Sequence, residues 1–307
     1  MTFPDFLIIG AAKSGTVSLY HYLGQHPQIF MCPVNEPNFF ALDGFDVDNH
    51  FKGPGDRAAV DSHCVQDLAA YKALFEKARP GQRLGESSPL YLYSAHAAER
   101  IRYYVPHVRL IAVLRQPTSR AHANFRHYRI AGIEPITRFE QALAAEEARR
   151  AQRWGPWPFW SYRDVGNYAE QLQRYYALFD RDQIMVCLYD ELRDDAVALL
   201  QRMYAFIGVD SQFVPDTSVQ HNVGSRPRAR FLHRLMTQSN PFKTTIKRAL
   251  PDRPRLWLRE WLGRLNEERL ALDPMLRRQL NRDYAPGMQR LQALIEQDLT
   301  PWFDTAR

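Results

Sequence analysis

The segment Phe6-Leu-Ile-Ile-Gly-Ala-Ala-Lys-Ser-Gly-Thr-Val-Ser-Leu19 constrains the fold more than any other stretch of this chain. Phe6 to Ile9 is a short apolar, partly β-branched run, the composition of a strand covered on both faces. Gly10 and Gly15 let the backbone turn tightly and come close to a ligand. From Ser14 onward the residues suit a helix N-terminus, and Leu19, Tyr20 and Leu23 fall at helical spacing. Backbone N–H groups in a first helical turn lack partners within the helix and form a ready anion site. Lys13 adds a full positive charge. The segment predicts a strand, a loop and a helix that together hold a phosphate-like group, with Lys13, Ser14, Gly15, Thr16, Val17 and Ser18 as its contacts.

The common nucleotide loop reads G-x-x-x-x-G-K-[ST]. Here Lys13 precedes Gly15, so that pattern fails while the strand-loop-helix logic stays. A second segment has the same logic. Leu110 to Leu114 is an apolar strand, Arg115 sits at its end, and Pro117 is placed to begin a helix. In an open parallel sheet ligands bind beyond the carboxyl ends of the strands. Arg115 and the Lys13 loop share that edge, and an Arg fork suits bidentate phosphate binding.

Lys13-Ser-Gly-Thr-x-Ser-Leu19 resembles the 5′-phosphosulfate loop of sulfotransferases that use 3′-phosphoadenosine 5′-phosphosulfate (PAPS). The segment from Arg115 resembles their 3′-phosphate motif, R-x-P-x-x-R-x-x-S-x-Y. Arg115, Pro117 and Arg120 match it. The motif's serine falls on Ala123, which has no hydroxyl to offer, and its tyrosine falls on Phe125. The likeness continues through His26-Pro-Gln28, Asn35-Glu-Pro-Asn-Phe-Phe40, Gly85-Glu-Ser-Ser-Pro-Leu-Tyr91, Gly166-Asn-Tyr-Ala-Glu-Gln-Leu172, Gln183 to Glu191 and His221 to Arg228. These segments are similar to the heparan-sulfate-type and related bacterial members, and they run in family order over roughly residues 5 to 230.

The resemblance implies an α/β fold: a single domain, 1–307, with a central parallel sheet flanked by helices, a P-loop-NTPase-like sulfotransferase fold. Residues 5–230 would form the nucleotide-binding core and 231–307 a helical part packed on it. It also implies transfer of a sulfuryl group from PAPS, without a metal, to a hydroxyl or amine of a carbohydrate, lipid or other small acceptor, leaving adenosine 3′,5′-bisphosphate (PAP). Lys13 would stabilise the leaving phosphate and Glu36 would be the general base. Glu86 is the reserve base, since it also ends a strand on the active edge. Ser87 stands where relatives often carry Lys. Arg226, with Arg228, is a candidate contact to the nucleotide phosphates. His122 and His127 read as packing or surface residues.

Strands are expected near 5–9, 82–86, 109–114 and 183–188, with intervening chain long enough for helical crossovers. Helices are expected near 15–25, 66–78, 94–104, 118–131, 139–152, 167–179 and 194–207. Leu272-Asp-Pro-Met275 opens a further helix with an Asp cap. Asp43 to Asp61 reads as an irregular loop. The aromatic stretch Arg153 to Trp160 reads as a hydrophobic plug or as a wall of the acceptor cleft.

Charge is unevenly spread. Gly224 to Arg264 holds eleven Lys/Arg against Asp252 and Glu260, a local +9 in a chain of +6. Three readings fit: a solvated face, a mouth attracting an anionic nucleotide, or peripheral membrane contact through Trp257 and Trp261. No apolar run approaches the roughly 20 residues that cross a bilayer, and no basic-then-apolar leader precedes the first strand, so a cytoplasmic protein is expected. Cys32, Cys64 and Cys187 lack metal spacing; Cys187 lies in an apolar strand and reads as core, and Cys32 and Cys64 read as free thiols of a reducing compartment. Rival readings are a phosphate-loop kinase, a nucleic-acid binder using the basic region (for which no module appears), and a catalytically weak nucleotide-binding relative.

Overall fold

The computed structural model describes residues 3–42, 64–130, 134–152, 154, 160–219 and 271–303. Its centre is a five-stranded sheet of order β2-β3-β1-β4-β5, all neighbours parallel. The strands are β1 (Phe6–Gly10), β2 (Ile29–Met31), β3 (Arg83–Ser87), β4 (Arg109–Leu114) and β5 (Ile184–Leu188). β1 is fully buried because both its edges are paired and both its faces are covered. Leu7 lies opposite Glu86 of β3 on one side and Leu110 of β4 on the other.

Side chains alternate across a strand, so the sheet feeds two cores. Phe6, Ile8, Ile111, Val113 and Cys187 face α1 (Thr16–Leu23). The same core takes in Leu199, Leu200 and Met203 from a later helix. Leu7, Ile9, Leu110, Ala112 and Leu114 face the opposite core. That side is covered by α2 (Phe39–Leu42), α3 (Leu68–Ala73), α4 (Leu90–Tyr93), α5 (Ala97–Tyr104), α6 (Pro117–Ile130), α7 (Phe139–Ala144) and α9 (Tyr168–Tyr176), while α8 (Glu146–Ala151) follows α7 and contributes no residue to that core. After β5 come α10 (Tyr189–Asp194), α11 (Ala196–Ile207), α12 (Pro274–Ile295) and α13 (Thr300–Phe303). Burying each large aliphatic side chain contributes about 1.5–3 kcal/mol, and the covered strands β1 and β4 concentrate this gain at the interior of the sheet.

Helix ends follow local chemistry. Asp195 caps α11 by accepting the Ala198 N–H at 3.0 Å, and Asp273 caps α12 through Leu276 N–H at 2.9 Å with Pro274 in first position. The expected helix over 139–152 is two, α7 and α8, divided at Ala145. β2 was not anticipated, because three residues are too few to carry a period of two. Gly10 also differs from expectation. A Cβ there would lie 2.7 Å from Leu92 Cβ, so the absent side chain serves the packing of α4 on β1. The chain leaves β1 toward the α1 face and leaves its two neighbours β3 and β4 toward the opposite face, which opens a crevice beyond the carboxyl end of β1. The loop 43–61, most of the aromatic stretch 153–160, and the basic segment 224–264 with Arg226 and Arg228 lie outside the described residues.

Candidate active site

The first wall of the crevice is the loop from β1 into α1. Ala11 N–H donates to Val113 O at 2.8 Å, which ties the loop to β4, and Ser14 N–H closes back on Ala11 O at 3.2 Å. Lys13 takes the left-handed backbone region at φ 69, and Gly15 follows at φ 89 as the residue before α1. A non-glycine residue held there stores of order 1–3 kcal/mol, a pattern that clusters at functional sites. No side chain caps the start of α1, and no carboxylate stands in its first turn. The N–H groups of Thr16 and Val17 stand in the first turn, where the helix itself supplies no acceptor, and Ser18 follows in the same turn. Ser14 and Thr16 are buried; Val17 and Ser18 are half-buried.

Lys13 itself is half-buried, with Nζ 5.3 Å from the Tyr128 ring centroid. Burial pushes its ammonium from the ordinary 10.5 down to about 8; the Glu36 carboxylate opposes the shift and the Arg120 guanidinium adds to it.

The second wall is the end of β4 and the start of α6. Arg115 Nη1 donates to Lys13 O at 3.3 Å, so the two predicted anion grips touch. The Arg115 guanidinium stacks on Tyr189 at 4.6 Å, and its carbonyl accepts the Tyr168 hydroxyl at 2.9 Å. Burial lowers the Arg115 pKa, and the nearby Arg120 charge works in the same direction. Arg120 is completely buried. Its Nη2 donates to Tyr162 O at 2.6 Å, while Nε and Nη1 meet no acceptor; the buried Thr118 hydroxyl is likewise without a partner. A guanidinium removed from water with two open donor positions costs free energy unless an anion arrives. The sequence motif contained Arg120, but nothing in it announced burial. Ala123 sits half-buried on α6 and offers no polar atom to the crevice.

Glu36 occupies the third wall. Its N–H donates to Ser87 O at 3.1 Å, and its carbonyl accepts Asn38 Nδ2 at 2.6 Å. Asn38 N–H in turn donates to Ser88 Oγ at 3.0 Å. Glu36 and Asn38 have φ of 61 and 56, so this loop too is held in left-handed backbone. The half-buried Glu36 carboxylate acts on Lys13, Tyr128 and Glu86 through its charge. Glu86 is different. It is fully enclosed, and its Oε2 accepts the hydroxyls of Tyr71 at 2.6 Å and Tyr91 at 2.9 Å. Burial raises it to about 7 against those hydrogen bonds, and the Glu36 charge adds to the rise. His122 packs on Phe139 at 5.3 Å and His127 is exposed.

Among the described residues no group of three or more His, Cys, Asp or Glu is arranged to hold a metal ion, and no helix is long and apolar enough to cross a membrane.

A parallel sheet whose central strand opens between two joined cationic grips defines an α/β protein with a cationic crevice at its switch point. The chain belongs to the sulfotransferase family, whose model matches residues 4–213. It is 32% identical to a sulfotransferase from Alicyclobacillus acidocaldarius of known structure, with a TM-score of 0.77 over 99% of this chain and all of that one. It is 27% identical over 220 residues to the mouse bifunctional heparan sulfate N-deacetylase/N-sulfotransferase 4, covering 68% of this chain but 23% of that protein. Human heparan sulfate glucosamine 3-O-sulfotransferase 6 is 27% identical over 241 residues, 74% of this chain and 61% of its own length. The matched part thus spans about a quarter of the mouse relative's length and less than two thirds of the human one's.

Proposed function

We propose that this protein transfers a sulfuryl group from PAPS to a hydroxyl or amine of a carbohydrate, lipid or other small acceptor. The observation that carries this reading is the contact of Arg115 Nη1 with Lys13 O beside the open donors of Arg120. One crevice thereby offers two separate anion grips, as a nucleotide with phosphate-type groups at both its 5′ and 3′ ends requires. The open donors and the Thr118 hydroxyl fit such a group. Bound, PAPS supplies an activated sulfuryl group whose departure leaves a phosphate.

Each residue then has a task. The N–H groups of Thr16, Val17 and Ser18 hold the 5′ end, and Ser14 and Gly15 shape that loop. Lys13 sits where negative charge grows on the leaving oxygen and stabilises it without reorganisation. Arg115 and Arg120 hold the 3′-phosphate, which frees Ala123 from the hydroxyl role that the family motif gives this position. Arg226 remains a candidate phosphate contact. Glu36 accepts the proton of the acceptor, because its carboxylate is near Lys13 yet not enclosed. Glu86 is walled in by Tyr71 and Tyr91 and anchors the Glu36 loop. The names of the two heparan sulfate relatives favour a sugar acceptor. Residues 1–307 act as one unit in this reading, with α12 packed on the core.

The test is Glu36→Gln. Sulfate transfer from PAPS into a panel of sugar and alcohol acceptors should fall about 10²–10⁴-fold, the usual value of acid-base help. PAP affinity, measured by calorimetry, should stay within about twofold. Undiminished turnover would move the base elsewhere. PAP binding by the unaltered protein without transfer to any acceptor would make it a nucleotide-binding relative instead.

A further inference from the structure

The matched part of the family ends at residue 213, and α12 lies beyond it. The buried side of α12 is an apolar stripe, Leu280, Tyr284, Met288, Leu291 and Ile295, interrupted by Asn281, which is only 4% exposed. An amide on such a face is costly unless it is paired. Asn281 Oδ1 accepts Gln116 Nε2 at 2.8 Å, and Gln116 Oε1 accepts Ser119 N–H at 2.7 Å. Gln116 also gives its carbonyl to Arg120 N–H at 2.9 Å. It therefore caps α6, its side chain fixed at both ends, and it is the residue directly after Arg115. One turn along α12, the Tyr284 hydroxyl donates to Arg163 O at 3.0 Å and Tyr162 O at 3.3 Å. Tyr162 O is the sole protein acceptor of the Arg120 guanidinium among the described residues. A Cβ on Gly166 would come within 2.8 Å of the Tyr284 ring, so the helix is seated closely there.

We infer that Asn281 and Tyr284 are positioning residues for the nucleotide: α12 sets Arg115 through Gln116 and Arg120 through the Tyr162 carbonyl. Both arms of the 3′ grip are thus aimed by one helix outside the matched region. This rests on the assignment of Arg115 and Arg120 to the nucleotide.

Calorimetry with PAP on the full chain tests it, using Asn281→Leu, Tyr284→Phe, Gln116→Leu and the Asn281→Leu/Gln116→Leu pair. Each single variant should weaken PAP about three- to tenfold, the worth of one ordinary hydrogen bond. The pair should lose no more than Gln116→Leu alone, since both act on one contact. In turnover, KM for PAPS should rise while kcat and the acceptor KM stay within twofold, a split that loosened packing alone would not give. Tyr284→Phe keeps the ring and its packing, so it remains informative should Asn281→Leu fold poorly. PAP affinities within twofold of the unaltered protein for both folded variants would overturn the inference. If Arg115→Ala also binds PAP normally, it is the assignment of the grip that has failed.

Discussion

The two grips proposed for the nucleotide are built from the same sequence device, a buried strand running into a helix, yet they hold charge in opposite ways. The loop before α1 relies on backbone N–H groups and on a lysine that stays half-buried. The start of α6 relies on guanidinium groups, one of them sealed from water with two open donor positions. Backbone donors cost little when no anion is bound, because water reaches the rim of the crevice. A sealed Arg120 remains costly until a ligand arrives. The first grip is therefore suited to a group that changes during reaction, and the second to one that only has to be held.

The largest effect that could break this contrast comes from Lys13→Ala. Turnover should fall about 10²–10³-fold, as when one preorganised charge-stabilising donor is removed. PAP affinity should fall only about tenfold, less than for Arg115→Ala. Equal losses in binding and turnover would make Lys13 a holding residue like Arg115.

Arg120→Met comes next. It should weaken PAP binding about 10- to 100-fold, while the melting temperature of the ligand-free protein stays level or rises. Removing a buried, poorly compensated cation in favour of an apolar side chain is often neutral or stabilising. The Tyr162 carbonyl keeps the Tyr284 hydroxyl in the variant. A large drop in melting temperature without ligand would assign Arg120 to the core.

How legible this contrast was in the sequence follows from the range of the interactions. The apolar runs of β1 and β4 fixed the sheet centre, because strands buried on both faces need no partner to be recognised. Lys13 and Arg115 were readable as strand-end cations. The Asp273 cap was readable because it acts three residues away. Arg120's donor Nη2 meets a carbonyl 42 positions on, and Gln116 meets Asn281 165 positions on. No local pattern encodes such pairs. The two carboxylates make the same point: Glu36 and Glu86 both sit at motif positions, and only the enclosure of Glu86 by Tyr71 and Tyr91 separates the roles proposed for them.

The smallest effect sharpens the comparison most. Lys13 titrates near 8 and the ordinary value is 10.5, so the unfolded chain binds more protons than the folded one between those values. Ligand-free stability should accordingly gain from this group as pH rises from about 8 to 10.5. Nucleotide affinity should move the other way. A bound anion favours the charged lysine, so PAP binding takes up a proton above pH 8 and weakens by up to about tenfold by pH 10. Lys13→Arg keeps its charge throughout this range and should flatten both trends. A guanidinium does not deprotonate in this range, so the second grip contributes no slope. Calorimetry with PAP at pH 7, 8, 9 and 10 on the unaltered protein and Lys13→Arg reads the difference directly. A slope that survives in Lys13→Arg would place the titrating group outside the first grip and remove the electrostatic distinction between the two.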